Sequence, residues 1–155
     1  MTVILANTPA MLEAHYAVPM TGAVLHCLNT RLDAPILAFQ LDHANTKVLI
    51  SDREFTTLMQ QALAAASVKP FVIDCNDPEF PDLGPALSDV DYEAFLSAGD
   101  PEFPWQPPAD EWDAIALNYT SGTTGNPKGV VYHHRGAALM CYANVLEAQM
   151  PRHPV

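Results

Sequence analysis

The stretch Asn118–Arg135, "NYTSGTTGNPKGVVYHHR", decides how the rest of the chain is read. Thr120, Ser121, Thr123 and Thr124 surround two glycines, and Pro127, Lys128 and Gly129 close the run. Three of the chain's seven glycines lie between Gly122 and Gly129, with one of its seven basic residues among them. Such a run is either a loose linker or a loop built to hold an anion. A linker has no need of Pro127 and Lys128 in fixed order between two strand patterns. A phosphate loop does have uses for these residues. Glycine lets the backbone approach a ligand closely, so that N–H groups meet phosphate oxygens. The hydroxyls add neutral donors, and Lys128 is a compact, mobile cation. Together they suit a triphosphate and the pyrophosphate that leaves it. The spacing is not that of a Walker A loop, which needs Gly-Lys-Ser/Thr after Gly and four residues. Here Pro127 stands five after Gly122, and Gly129 follows Lys128.

Working outward, short apolar runs alternate with helical patterns. "TVILAN" reads as a buried strand, after which Thr8 and Pro9 suit the cap and first position of a helix through "AMLEAHYAVPMTG". Leu12, Tyr16 and Met20 repeat along that helix, which Pro19 must kink or shorten. "AVLHCL", "KVLISD", "PFVID", "AIALNYT" and "GVVYH" are further strands. "APILAFQLDHA", "EFTTLMQQALAAA", "YEAFLSAG" and "RGAALMCYANVLEAQM" are helical, the last with Leu139, Tyr142, Leu146 and Met150 in register. Strands separated by helices predict an α/β fold, a mainly parallel sheet of the doubly wound kind flanked by helices. Parallel sheets need cover on both faces, and a strand at residue 2 suggests a piece of something larger.

Composition narrows the function classes. The net charge of −11 is local: Pro70 to Asp113 holds twelve acidic residues, eight prolines and no Lys or Arg. The segment 75–110 therefore reads as an acidic, Pro-rich surface excursion whose carboxylates avoid an anionic site. No basic stripe exists for nucleic acid. No run reaches the roughly 18 apolar residues of a membrane span, and the start lacks a basic leader, so a cytoplasmic location is expected. Cys27, Cys75 and Cys141 are odd in number and form no CxxC, which predicts reduced thiols.

"YTSGTTGNPKGV" resembles the signature of the AMP-dependent synthetase/ligase (adenylate-forming) superfamily. "NTPAMLEAHYAVPMTGAVLHCLNTRL" is similar to that family's strand–helix–strand, and "LNTRL" at 28–32 is more like acyl-CoA synthetases than peptide-synthetase modules. Within the family the chain looks closest to medium-chain acyl-CoA and methylmercaptopropionyl-CoA ligases. The resemblance implies that Thr120, Ser121, Gly122, Thr123, Thr124, Gly125, Asn126, Pro127 and Lys128 bind the phosphates of ATP, with Thr120 helping to hold Mg²⁺. It implies a two-step reaction: a carboxylic acid displaces pyrophosphate from ATP to give an acyl-adenylate, and CoA then displaces AMP. The family's adenine, ribose, metal-carboxylate and carboxy-terminal lysine motifs are not found before Val155. Residues 1–155 are thus expected to be a partial amino-terminal AMP-binding domain, with no catalytic residue and no activity alone. The alternatives are a catalytically inactive nucleotide-binding remnant and another adenylate-forming enzyme, luciferase-like or loading a carrier protein.

His133 and His134 fall at a strand-to-helix junction, where capping competes with nucleotide contact; the family has a His at the position of His134. His15, His26 and His43 lack metal-ligand spacing and read as core or surface residues. Arg31 reads as a loop anchor, and Trp105 and Trp112 as hydrophobic anchors of the Pro-rich segment.

Overall fold

Six strands lie in the order β4-β3-β1-β2-β5-β6 in the computed structural model, which describes residues 1–80, 84–105, 107–120 and 127–151. The strands are β1 Thr2–Ile4, β2 Leu25–Cys27, β3 Val48–Asp52, β4 Phe71–Cys75, β5 Ala114–Thr120 and β6 Lys128–His133. The first five run parallel to their neighbours, and β6 returns antiparallel to β5. The expected α/β fold is observed.

Alternation along β1 explains the two layers. Val3 belongs to one apolar cluster with Ala10, Ala14 and Val18 of α1 (Pro9–Met20). Its neighbour Ile4 belongs to the other, with Leu37 and Leu41 of α2 (Ala34–His43) and Met59 and Ala62 of α3 (Thr56–Ala65). The chain steps one way from β1 to β2, then crosses back to β3 on the far side of β1. Crossovers of one hand running in opposite directions put their helices on opposite faces. The fully buried Val3, Ile4, Leu37, Leu41, Leu49 and Ile73 each contribute roughly 1.5–3 kcal/mol of apolar burial.

Two helices bury less than their patterns suggest. In α1 the small residues Ala10, Ala14 and Val18 face the sheet, so Leu12 and Tyr16 are 63% and 67% exposed. Thr8 occupies the N-cap position, yet its hydroxyl makes no cap bond and donates to Ala6 O instead. Pro19 sits in the last turn and the helix ends one residue later. In α5 (His134–Glu147) Leu139, Tyr142 and Leu146 share a register, but no described residue of that helix is buried.

The acidic section is pinned rather than loose. Asp74, the last residue of "PFVID" and one of the twelve carboxylates of that section, is buried, and its Oδ2 accepts from Leu87 N at 2.7 Å and Ser88 N at 3.1 Å. Arg53 donates from Nε and Nη2 to Gly84 O at 2.9 and 2.6 Å, and from Nη1 to Asn76 Oδ1. The short α4 (Tyr92–Ser97) is capped by Asp91 and tied to α1 where Tyr92 donates to Glu13 Oε2 at 2.8 Å. Arg53, not Arg31, is the loop anchor: among the described residues the exposed Arg31 contributes only its backbone N–H, to Asn29 Oδ1. Trp105 is 54% exposed and so does not anchor by burial. Trp112, also exposed, packs on His133 at 4.6 Å and carries the Arg135 guanidinium on its ring.

Candidate phosphate-binding site

β5 and β6 form a hairpin whose connected end, at Thr120 and Lys128, lies at the carboxyl edge of the parallel strands. Its ladder pairs consecutive residues from Ala116↔Tyr132 down to Tyr119↔Gly129 and Thr120↔Lys128, with an irregularity between Ala114 and Ala116. Thr120 and Lys128 are thus cross-strand partners, with adjacent side chains on one face. Of the nine residues of the expected site, Thr120, Pro127 and Lys128 are described; Ser121, Gly122, Thr123, Thr124, Gly125 and Asn126 lie outside the described residues. Thr120 and Lys128 are exposed. The element after the signature is a strand, as the pattern predicts, and not the helix of a Walker A loop.

Gly129 has a packing role. A Cβ added there would stand 3.0 Å from Leu117 Cδ1 and 3.6 Å from two Tyr119 ring carbons. The absent side chain leaves room for Leu117, while the Tyr119 ring across the hairpin would stand at ordinary van der Waals distance. That ring lies 5.1 Å from His26 and meets the His43 ring edge-on at 5.8 Å. Tyr119 Oη and His43 Nδ1 share a hydrogen bond of 2.6 Å, and Phe39 stacks on His43. Burial raises the Tyr119 phenol above its ordinary range, so it stays protonated at neutral pH.

His26 is a core histidine. It is buried, its Nδ1 is hydrogen-bonded to Thr2 Oγ1 at 3.1 Å, and Thr2 Oγ1 meets Thr46 Oγ1 at 2.7 Å. Burial, with a smaller contribution from the amino terminus, lowers its pKa to about 4, so it is neutral near pH 7. At the other end of the hairpin His133 caps α5, accepting from Gly136 N at 2.9 Å. Arg135 pairs there with Glu111 at 2.7 Å. His133 therefore has a capping role, at the end of β6 away from Lys128.

Sequence reasoning passed over the link between Tyr119 and His43. The two are 76 residues apart, and only the fold brings them together. The available signal was alternation in β5, which puts Tyr119 on one face with Leu117, immediately before Thr120.

A doubly wound sheet carrying a Gly/Thr-rich segment at its carboxyl edge defines a class of nucleotide-binding α/β proteins. Residues 1–154 match the AMP-binding enzyme family, and the chain belongs to that family. It is 52% identical over 157 residues to the peroxisomal acetate/butyrate–CoA ligase of Arabidopsis thaliana, covering 93% of this chain and 27% of that protein. It is 46% identical over 149 residues to an acetate–CoA ligase of Humulus lupulus, covering 89% of this chain and 26% of the relative. The chain thus spans about a quarter of the length of these curated relatives. Among solved structures, an anthranilate CoA ligase in complex with anthranoyl-AMP superposes with a TM-score of 0.78 at 22% identity, covering 91% of this chain and 26% of that one. The luciferase-like enzyme of the nonluminescent Zophobas morio mealworm gives 0.72 at 19% identity, over 96% and 32%. These likenesses establish the fold.

Proposed function

We propose that this chain is the triphosphate-binding part of an ATP-dependent acid–CoA ligase. The observation that carries the reading is the pairing of Thr120 with Lys128 at the two ends of the signature segment. In open α/β sheets ligands bind at the carboxyl edge of the strands, where this pair stands. Thr120, Ser121, Gly122, Thr123, Thr124, Gly125, Asn126, Pro127 and Lys128 hold the β- and γ-phosphates. The Lys128 ammonium and the hydroxyls neutralise charge as a carboxylate oxygen attacks the α-phosphorus and pyrophosphate departs. In the second step the CoA thiol displaces AMP. The names of the relatives support a short carboxylic acid as substrate.

Mg²⁺ fits this site as a companion of the nucleotide. Among the described residues no group of three His, Cys, Asp or Glu could hold a metal ion. Mg²⁺ commonly takes most of its ligands from phosphates and water, so the Thr120 hydroxyl serves as one added oxygen. When bound, the ion supplies further neutralisation of the phosphates. No helix of the described residues is long and apolar enough to cross a membrane. The free thiols fit a reducing compartment such as the cytosol, while one relative is peroxisomal by name. Imaging of a tagged full-length protein separates those locations.

The test is Lys128→Ala in the full-length ligase carrying this sequence. Loss of one charge-assisted contact, roughly 1.5–3 kcal/mol, should lower kcat/KM for ATP about tenfold to over a hundredfold. An unchanged ATP dependence with an altered acid preference would remove Lys128 from the site.

A further inference from the structure

We propose that Tyr119 and His43 are a positioning pair for the triphosphate, their hydrogen bond setting where Thr120 and Lys128 stand. The inference rests on the phosphate-site reading above and assigns two further residues to it. Pairing between β2 and β5 stops at His26↔Leu117. Asn118, Tyr119 and Thr120 run on with β6 as their strand neighbour, and five of the six β6 residues are exposed. A two-stranded ribbon extending past its sheet is marginally stable by itself.

Tyr119 makes up for the missing ladder. Its ring rests on the buried His26, and its hydroxyl is tied at 2.6 Å to the last residue of α2. That helix is fixed in the core by Leu37 and Leu41, both 0% exposed. The tether therefore joins the site to a rigid element. Thr120 is the next residue along β5, and Lys128 is the partner of Thr120, so both follow Tyr119. Gly129 is the ladder partner of Tyr119, so it too follows that residue. Displacements of about 1 Å at a reacting centre can cost about a hundredfold in rate. A tether that limits such displacement contributes to ATP use without touching ATP.

The tether is read first in the 155-residue chain by amide hydrogen exchange. Tyr119→Phe keeps the ring and removes the hydrogen bond. It should speed exchange at Thr120, Lys128 and Gly129 by about three- to tenfold and leave β1 and β3 unchanged. Its purpose is read in the full-length ligase with ATP and acid varied separately. Tyr119→Phe and His43→Ala should each raise KM for ATP by about three- to tenfold, with KM for the acid within about twofold. The double variant should be no worse than either single one, and His43→Asn, which keeps a polar atom near Nδ1, should recover most of the loss. Unchanged exchange in Tyr119→Phe would overturn the tether. Unchanged KM for ATP in Tyr119→Phe and His43→Ala, beside a raised value in Lys128→Ala, would overturn the positioning role and leave the phosphate site standing. If Lys128→Ala is silent as well, the phosphate-site reading itself fails.

Discussion

Thr120 and Lys128 are paired across the β5–β6 ladder, with seven residues of chain between them. The ladder brings the ends of a Gly/Thr-rich segment together before any ligand arrives. Closing a segment of that length inside an existing hairpin avoids ordering its ends at the moment of binding, which is a preorganisation gain. It also places an ammonium and a hydroxyl side by side without a helix between them.

A polypeptide of these 155 residues alone should catalyse no carboxylate-dependent exchange of labelled pyrophosphate into ATP. On the proposed reading the segment supplies groups for the phosphates, and groups that act on the acid and adenosine must supply the rest of the transition-state stabilisation. Exchange clearly above that of Lys128→Ala would contradict this.

Stability should fall as pH drops from about 6.5 towards 4. His26 has a folded pKa of about 4 against 6.5, so between those values the unfolded chain binds a proton that the folded chain refuses. The loss amounts to as much as about 3 kcal/mol. Asp52, raised by burial, protonates earlier in the folded state and opposes this trend near the acid end. Asp42 is lowered chiefly by backbone N–H groups of Ser67 and Val68, so its contribution is lost only below its ordinary value of 3.8. Urea midpoints at about pH 7 and about pH 4.5 measure the slope, and His26→Gln should flatten it.

Gly84→Ala should destabilise the fold by about 1–3 kcal/mol. A Cβ there would lie 2.7 Å from Thr56 Cβ and 3.0 Å from Arg53 O, and the latter is backbone that cannot swing aside. The same shift would strain the Arg53 bonds to Gly84 O. An unchanged denaturant midpoint would show that the Thr56 contact yields freely.

If the proposed function holds, neutralising Asp77 and Glu79 should change KM for ATP less than about twofold in the full-length protein. Both follow β4, and β4 and β6 occupy opposite edges of the six-stranded sheet. Five strand spacings of about 4.8 Å separate them by roughly 24 Å. That is about three Debye lengths at physiological salt. A several-fold fall in KM for Asp77→Asn would show that the acidic section does face the nucleotide.

Much of the fold was legible because local pattern and global topology agree. "AIALNYT" and β5 share the same residues. Parallel strands buried on both faces read as continuous apolar runs, as β1 and β3 do. Which helical face points inward was not legible. In α1 a stripe of small residues and a stripe of large ones both repeat every four positions, and closeness to the sheet selects the small ones. The acidic section misled through its composition, since Asp74 looks like any solvated carboxylate until Leu87 and Ser88 fold back onto it. The ends of the candidate site were readable from the motif. Its support by His43 was not, because pairings between distant segments leave no local pattern.

The four strands from β4 to β2 use residues 2–75 without interruption, with α1, α2 and α3 between them. Both apolar clusters draw almost entirely on this stretch, Tyr92 being the one buried member beyond it among the described residues. A ribosome therefore delivers a nearly complete core long before it delivers Thr120. At roughly 5–20 residues per second, the 45 positions from Cys75 to Thr120 take about 2–9 s. The hairpin then emerges beside a surface that already presents His26 and His43. The nascent chain thus has its docking platform in place before the segment that docks on it exists, and the β5–β6 hairpin is added to a base that is already built.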